Sequence, residues 1–327
     1  MLTIAVPVSE ASPSDALQEV SAGAGGLLLF GASAPANLGA QLASIKTHVP
    51  GQIGLLVMTD EEGGGVQRMA NLVGWLPWPA WMGSNWSAAQ IQAAVTQVGS
   101  KMSADGVNMD LAPVIDVDGT NAAPSGTNPD GWRSFSGNTA VVSKDGIAFM
   151  NGLRSAGVIP VLKHFPGLGG STGNTDNGSA QTLPWTTLQQ VAIPPFAAAI
   201  AAGAPAVMVS NATVPGLTTL PASLSPDAMA ELTITLQFHG LVITDSLSAG
   251  AIAAAGFTVP AAAVQALKAG ADMVMFGLPS TSSATVSQTF AIRSAIVAAV
   301  ANGTLARSRL IDATAAVLAV RHVDLCG

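Results

Sequence analysis

The residues best suited to chemistry in this sequence are charged side chains that directly follow short apolar segments. Asp60, the pair Lys163–His164, and Asp245 each occupy such a position. Only 9% of the residues are charged, so their concentration at the ends of apolar segments points to a function. Carboxylates can act there as nucleophiles or proton donors, and neighbouring cations can orient a polar substrate.

Four further polar residues belong to the same pattern. Arg68 follows Asp60 across a glycine-rich turn, and Arg133 lies in the long loop after the fourth apolar segment. Asp176 lies in the glycine-rich stretch after Lys163–His164, and Asn211 follows the sixth segment. Together they predict one polar site, provided that the fold brings the segment ends together.

Structural roles are the alternative for each of these side chains. Asp245 could cap the helix that follows it, and Asp60 could form a structural ion pair with Arg68. Lys163 is harder to explain in this way, because burying an unpaired ammonium group is costly. A lysine at the end of a buried segment must reach a carboxylate or a polar cavity.

Two other features favour a structural interpretation. Asp110 and Asp116 are expected to organise the loop after the fourth segment. Four tryptophans surround prolines, and packing in a surface helix or loop is preferred to a sugar-stacking platform. They are Trp75, Trp78, Trp81 and Trp86.

The segment pattern predicts the fold. Eight apolar, β-branched segments are predicted strands, at 2–6, 26–30, 55–59, 107–111, 158–162, 206–209, 241–244 and 271–276. Alanine-rich helical stretches alternate with them, for example 87–104, 141–156 and 191–202, and 308–323 is predicted to be a terminal helix. This alternation predicts a single (β/α)8 barrel domain over 1–327, whose strand ends converge at one mouth. A doubly wound open sheet is the alternative, disfavoured because no glycine-rich phosphate motif follows the first strand.

Composition excludes several classes of protein. The net charge of −7 and the lack of basic runs argue against nucleic-acid binding. The single cysteine, Cys326, excludes a disulfide framework and a cysteine-based metal site. No cofactor or metal is predicted, because no His-x-His or other clustered ligand spacing occurs. A monomer is expected.

The location of the protein is predicted less directly. No apolar run reaches the roughly 18–20 residues of a membrane span. The opening residues 1–8 lack a basic region followed by a long apolar stretch, so no signal peptide is expected in this sequence. A surface built from Ser, Thr, Asn, Gln and Gly favours a cell-envelope or secreted protein over a cytoplasmic one.

The motifs around the polar residues resemble those of family 3 glycoside hydrolases. Residues 60–68, DEEGGGVQR, resemble the family's D-x-E-G-G-x-V-x-R segment, and residues 163–167 match its K-H-F-P-G block. Residues 242–248, VITDSLS, resemble its nucleophile segment. The same order and spacing hold for RSF at 133–135, PASLS at 221–225 and GADM at 270–273.

The branch that this chain resembles comprises the single-domain bacterial β-N-acetylhexosaminidases of peptidoglycan turnover. The resemblance implies a carbohydrate partner, an N-acetylglucosamine-containing glycan or muropeptide. It also implies a retaining exo-acting enzyme in which Asp245 attacks the anomeric carbon and forms a covalent glycosyl-enzyme. We expect nearby cations to keep the pKa of Asp245 low. The implied sugar-binding residues are Asp60, Arg68, Arg133, Lys163, His164 and, in the place of a usual histidine, Asn211.

One departure concerns the acid/base. Members of this branch carry Asp-Ser-His in the loop after K-H-F-P-G, whereas this chain has Asp176 and then Gly178 at the histidine position. His48 and His239 precede strands and are expected at the opposite face, and His322 is expected in the terminal helix. The acid/base is therefore Asp176, another loop carboxylate, or absent.

Three other functions stay open on the sequence. A sugar-binding pseudoenzyme is consistent with the missing histidine. A phosphorylase would use phosphate to resolve the glycosyl-enzyme and would need no base. A metal-dependent barrel hydrolase is the least favoured of the three, because no clustered ligand spacing occurs.

Overall fold

Eight parallel strands form the centre of the computed structural model, which describes residues 1–321. The described strands are β1 (Ile4–Ser9), β2 (Gly26–Phe30), β3 (Leu56–Thr59), β4 (Glu61–Gly63), β5 (Val66–Gln67), β6 (Met109–Asp110), β7 (Ile159–Phe165), β8 (Ala206–Val209), β9 (Leu241–Thr244) and β10 (Val274–Met275). The barrel order is β10-β1-β2-β3-β6-β7-β8-β9, and β4 and β5 form a separate antiparallel hairpin. A parallel bridge between Ile243 and Met273 joins β9 to the start of β10. The ring closes, which confirms the (β/α)8 barrel and excludes the open sheet.

All eight predicted strand positions are occupied, but the bounds differ where polar residues intervene. The strand predicted at 158–162 continues to Phe165 and so includes Lys163 and His164. Inside the barrel, Lys163 is paired with carboxylates and His164 is hydrogen-bonded to Asp116. The β4–β5 hairpin was not predicted, because its sequence has the glycines of a turn and little apolar alternation.

Helices surround the barrel. The described helices are α1 (Leu17–Ser21), α2 (Leu38–Lys46), α3 (Ala70–Val73), α4 (Pro79–Asn85), α5 (Ala88–Ala104), α6 (Thr139–Ser155), α7 (Trp185–Val191), α8 (Ile193–Ala201), α9 (Pro226–Ala230), α10 (Gly250–Ala254), α11 (Val259–Ala269), α12 (Ser282–Ala301) and α13 (Arg307–Ala319). The helix predicted at 191–202 begins two residues later, after a break at Ala192, because prolines occupy the first turn of α8. The terminal helix is confirmed as α13, and His322 and Cys326 lie outside the described residues.

Two apolar layers hold the barrel together. Within each strand, alternate side chains point inward and outward, so Leu28 packs inside the ring while Leu27 and Leu29 pack against helices. The interior layer contains several methionines, including Met58, Met208 and Met275. Burial of both strand faces explains the continuous apolar runs in the sequence.

One helix has the length and hydropathy of a membrane span. Residues 1–321 include α12, in which an 18-residue window has a mean hydropathy of 1.3 and 28% of the window is buried. α12 packs against α11 and β1 as an outer helix of the barrel.

Candidate active site

A polar cavity of about 420 Å³ opens at the carboxyl ends of the strands. The sequence-predicted residues that line it are Asp60, Arg68, Arg133, Lys163, His164, Asp176 and Asp245. The barrel thus brings seven of the eight predicted site residues to one mouth. His239 instead lies just before β9 and His48 between α2 and β3, at the opposite face as expected.

Glu62 is the centre of the ion network in this cavity. Its carboxylate receives Nε and Nη2 of Arg133, each at 2.8 Å, and lies 2.6 Å from Nζ of Lys163. Lys163 also donates to Oδ1 of Asp60 at 2.8 Å. Asp60 lies 3.6 Å from Arg68, so the ion pair considered from the sequence exists as part of a larger network. The network connects β3, the β4–β5 hairpin, β7 and the loop 118–137.

The network decides the charge state of its buried members. Glu62 is 1% exposed and Lys163 is 2% exposed. Burial alone would raise the pKa of Glu62, but Arg133 and Lys163 outweigh it and hold that pKa well below its usual range. Burial would likewise lower the pKa of Lys163, but Asp60 and Glu62 outweigh it and raise that pKa. Both side chains are therefore charged at neutral pH.

His164 is held by Asp116 from below the cavity. Its Nδ1 lies 2.7 Å from Oδ2 of Asp116, which also accepts the backbone N–H of His164. The other oxygen of Asp116 accepts the N–H of Leu168 at 2.7 Å, so these bonds of Asp116 hold β7 and the start of the loop that follows it. Burial and the adjacent Arg133 lower the pKa of His164 to about 4. The imidazole is thus neutral at pH 7, and donation by Nδ1–H leaves Nε2 as an acceptor that faces Arg133 at 3.5 Å.

Asp130 is a buried carboxyl group that the sequence did not single out. Asp116, Asp130 and His164 each bring a possible metal-ligating atom to within 4.8 Å of the others. Within residues 1–321, neither oxygen of Asp130 has a hydrogen-bond partner. Burial and the nearby Asp116 raise the pKa of Asp130 well above its usual value. Arg133 supplies the positive charge next to this group.

Asp245 follows β9 and is fixed by the backbone. Its N–H donates to the carbonyl of Val209 at 2.9 Å, and its Oδ1 accepts the N–H of Ser246 at 2.6 Å. The next helix, α10, begins at Gly250 with Ala249 as its N-cap, so Asp245 does not cap it. The carboxylate is left to line the cavity.

The expectation that cations keep the pKa of Asp245 low is wrong. Burial raises this pKa, and the charge of Asp176 raises it further, against the opposing effects of the Ser246 N–H and the Lys163 ammonium. The physical reason is burial, which outweighs the nearby cation. Lys163 is also paired with Asp60 and Glu62, so its charge is shared with two other carboxylates.

The loop 168–183 carries Asp176 and is attached to the mouth at two places. The carbonyl of Asp176 accepts the N–H of Gly250 at 3.0 Å, and Asn174 donates its N–H to Gly126 at 2.9 Å. A Cβ at Gly250 would lie 2.8 Å from the carbonyl oxygen of Asp176, so only glycine permits this approach. The side chain of Asp176 is exposed and lines the cavity.

The position of the missing histidine is open. A Cβ added at Gly178 would meet no atom within 4 Å, and the backbone there is not in the left-handed region. Glycine at this position is therefore not required by packing.

Asn211 is the predicted site residue that the structure does not bring into the cavity. It is fully buried, its Nδ2 donates to the carbonyl of Ser246 at 2.7 Å, and its Oδ1 accepts Ser223 Oγ at 2.6 Å. The amide nitrogen thus holds the backbone next to Asp245, and the amide oxygen is used by the Ser223 hydroxyl. Glu62, in contrast, lines the cavity although no sequence pattern pointed to a role for it; it lies within the motif at 60–68.

The chain belongs to glycosyl hydrolase family 3: residues 12–320 match the family's N terminal domain. This confirms the resemblance found in the motifs and the expected class of protein. The β-hexosaminidase LpqI of Mycobacterium tuberculosis is 36% identical over 233 residues, which cover 69% of this chain. That match spans 59% of the length of LpqI, less than two thirds of the relative.

Two solved structures superpose on nearly the whole chain. A glycosyl hydrolase of family 3 from Mycobacterium smegmatis gives a TM-score of 0.84 at 33% identity, with 98% of this chain and 94% of that chain covered. The β-N-acetylhexosaminidase of Beutenbergia cavernae gives 0.85 at 30% identity, with 98% and 96% covered. These relatives are bacterial proteins.

Replacing Glu62 should destabilise the fold. Glu62→Gln leaves Arg133 and Lys163 buried without their shared anion, so we expect the free energy of unfolding to fall by about 3 kcal/mol at pH 7. The contribution of Glu62 is present above its unfolded pKa of about 4.3 and is lost as the pH falls through its lowered folded pKa. The difference between wild type and variant should therefore narrow below about pH 4. Urea denaturation at several pH values measures this difference in the free energy of unfolding.

Glu231→Gln is the matched control for this experiment. Glu231 lies on the outer surface, and its replacement should change the free energy of unfolding by no more than about 0.5 kcal/mol. Equal effects of the two substitutions would contradict the role given to Glu62.

The pKa of Asp245 should respond to Asp176. In Asp176→Asn the neighbouring negative charge is gone, so the pKa of Asp245 should fall toward its ordinary value. A ¹³C NMR titration of the aspartate carboxyl carbons, with Asp245→Asn to assign the signal, measures this pKa. Asp227→Asn removes the same charge from the outside of the barrel and should leave the titration unchanged. A titration that moves upward, or moves equally in both variants, would show that the two carboxyl groups do not interact as described.

Proposed function

We propose that this chain is a retaining exo-β-N-acetylglucosaminidase-type glycoside hydrolase. The proposed substrates are β-linked amino sugars derived from peptidoglycan or related glycans. The observation that carries the proposal is the presence of two carboxyl groups, Asp245 and Asp176, in a cavity whose other polar groups suit a sugar. The β-hexosaminidase names of relatives in the same family support the substrate class.

The chemistry assigns different roles to the two carboxyl groups. The Asp245 carboxylate attacks the anomeric carbon, the bond from that carbon to the leaving oxygen breaks, and Asp176 gives that oxygen its proton. Asp176 then takes a proton from water, whose oxygen attacks the same carbon and releases Asp245. This use of Asp176 needs its carboxyl group protonated in the first step and ionised in the second.

The cations are suited to hold the sugar rather than to activate the nucleophile. An ammonium group has three donors, and Lys163 uses two of them on Asp60 and Glu62, so one is left for a sugar hydroxyl. Asp60 and the unprotonated Nε2 of His164 can accept hydroxyl protons. Fixed donors and acceptors of this kind orient a pyranose ring for attack.

A catalytically impaired sugar-binding protein is the second candidate. Gly178 favours it, because the group that completes the acid/base in the resembled enzymes is missing. Loss of general acid–base help typically lowers a rate by roughly 10²–10⁴-fold. We also propose a cell-envelope or extracellular location, which the low content of charged residues supports.

Trapping the intermediate tests the function. A 2-fluoro or 5-fluoro amino-sugar donor with an activated leaving group should add one glycosyl group to Asp245, detected by peptide mass spectrometry. Asp245→Ala should stay unlabelled. Sugar binding without labelling of wild type would support the second candidate, and release of sugar 1-phosphate on addition of phosphate would identify a phosphorylase.

Restoring the missing histidine should raise the rate on substrates with poor leaving groups. The Cβ of Gly178→His would meet no atom within 4 Å, and the position is two residues from Asp176, so we expect kcat/KM for such an amino sugar to rise by about 10²-fold. Substrates with activated aryl leaving groups need little proton donation and should gain much less. Gly178→Asn fills the same space without a titratable group and should show no gain. Identical behaviour of the histidine and asparagine variants would contradict the assigned deficiency.

A further inference from the structure

A second groove lies on the other side of the loop that carries Arg133. Its volume is about 520 Å³, within the range of small-molecule sites, about 300–1,000 Å³. Helix α4 forms one wall, and residues 118–121, 131–132 and 134–137 of the loop form the other. None of the sequence-predicted site residues lines this groove.

Three tryptophans line the groove and are held in place. Trp78 and Trp132 have ring centroids 6.0 Å apart, and Trp81 packs edge-on against Trp86 at 5.5 Å. Trp78 also lies against the hairpin turn, where a Cβ at Gly64 would be 2.0 Å from its ring. Trp81 is 48% exposed, so a large apolar ring stays in contact with water. Rigid, partly exposed indoles offer flat surfaces to a ligand at a small cost in side-chain entropy.

Apart from one carboxylate, the polar side chains that line the groove are neutral. The described lining residues include Ser84, Asn85, Thr120 and Asn121 but no lysine, arginine or histidine. The one carboxylate, Asp118, accepts the N–H groups of Thr120 and Gly131 at 2.8 and 3.3 Å. Hydroxyl and amide groups beside exposed indoles match a ligand that has C–H faces edged by hydroxyl groups and amides. A charged ligand would find no counter-ion among the lining residues except that carboxylate.

We propose that this groove is a second carbohydrate-binding site, for a neutral oligosaccharide of β-linked N-acetylated sugars. Pyranose faces stack on the indoles, and the hydroxyl and acetamido groups bind the surrounding amides and hydroxyls. The site is next to the catalytic cavity, because Trp132 and Arg133 are neighbours in the 3₁₀ turn Gly131–Arg133 and line the two different cavities. The groove thus holds a longer glycan close to the cavity in which a terminal sugar is cleaved.

Binding of a β-1,4-linked N-acetylglucosamine tetramer tests this inference without relying on turnover. Calorimetric titration in an Asp245→Asn background should show a binding event that weakens at least tenfold in Trp81→Ala. Trp75→Ala is the matched control, since Trp75 is 64% exposed but does not line the groove. Ser84→Arg fills the groove without removing a packed ring and should abolish the same event.

The control measurements separate this inference from the proposed function. On an otherwise wild-type chain, Trp81→Ala should leave hydrolysis of a small aryl glycoside unchanged. If the wild-type chain does not hydrolyse the aryl glycoside, that result counts against the proposed function and not against the groove. The groove assignment is overturned if Trp81→Ala and Ser84→Arg bind the tetramer normally, or if Trp75→Ala weakens it equally. Equal binding of an α-linked glucose tetramer would overturn the assignment to N-acetylated β-linked sugars.

Discussion

The arrangement of the mouth depends on one buried carboxylate, Glu62. Its two oxygens receive Arg133 from the loop 118–137 and Lys163 from β7, so three separate parts of the chain meet at a single group. Two buried cations would be costly without this anion, and the anion would be costly without them. Glu62 therefore fixes the positions of the loop, the end of β7 and its own hairpin relative to one another.

This constraint shapes the chemistry of Asp245. Because Glu62 and Asp60 neutralise the cations, the nucleophile gains little electrostatic help from them, and burial raises its pKa. The protein places its positive charge to orient a ligand, and burial leaves the pKa of Asp245 above its ordinary value. Loop 168–183 then adds Asp176, whose negative charge acts on Asp245 in the same direction as burial.

The sequence predicted the barrel and most of the mouth because both rest on local patterns. Continuous apolar segments marked the strands, and the polar residues just after them had to converge once the ring closed. Glu62 was missed because its role comes from Arg133, which lies 71 residues away in the chain. Asn211 was misplaced for the opposite reason: it follows a strand, but its amide turns to the backbone after Asp245. The raised pKa of Asp245 depends on how charges are shared in three dimensions, which no motif records.

The buried acids below the mouth also affect how the chain folds. Burial raises the pKa values of Glu61 and Asp116 to about 7, and those of Asp110 and Asp130 well above their usual values, whereas His164 falls to about 4. Between about pH 4 and 7, Glu61 and Asp116 hold protons that the unfolded chain, with carboxyl pKa values of about 4, has released, and the raised pKa values of Asp110 and Asp130 act in the same direction, whereas the imidazole of His164 does the reverse. Folding therefore takes up protons from the medium. Stability falls as the pH rises through this window, by about 1.4 kcal/mol per pH unit for each extra proton held. This group of residues favours the folded chain in a mildly acidic medium.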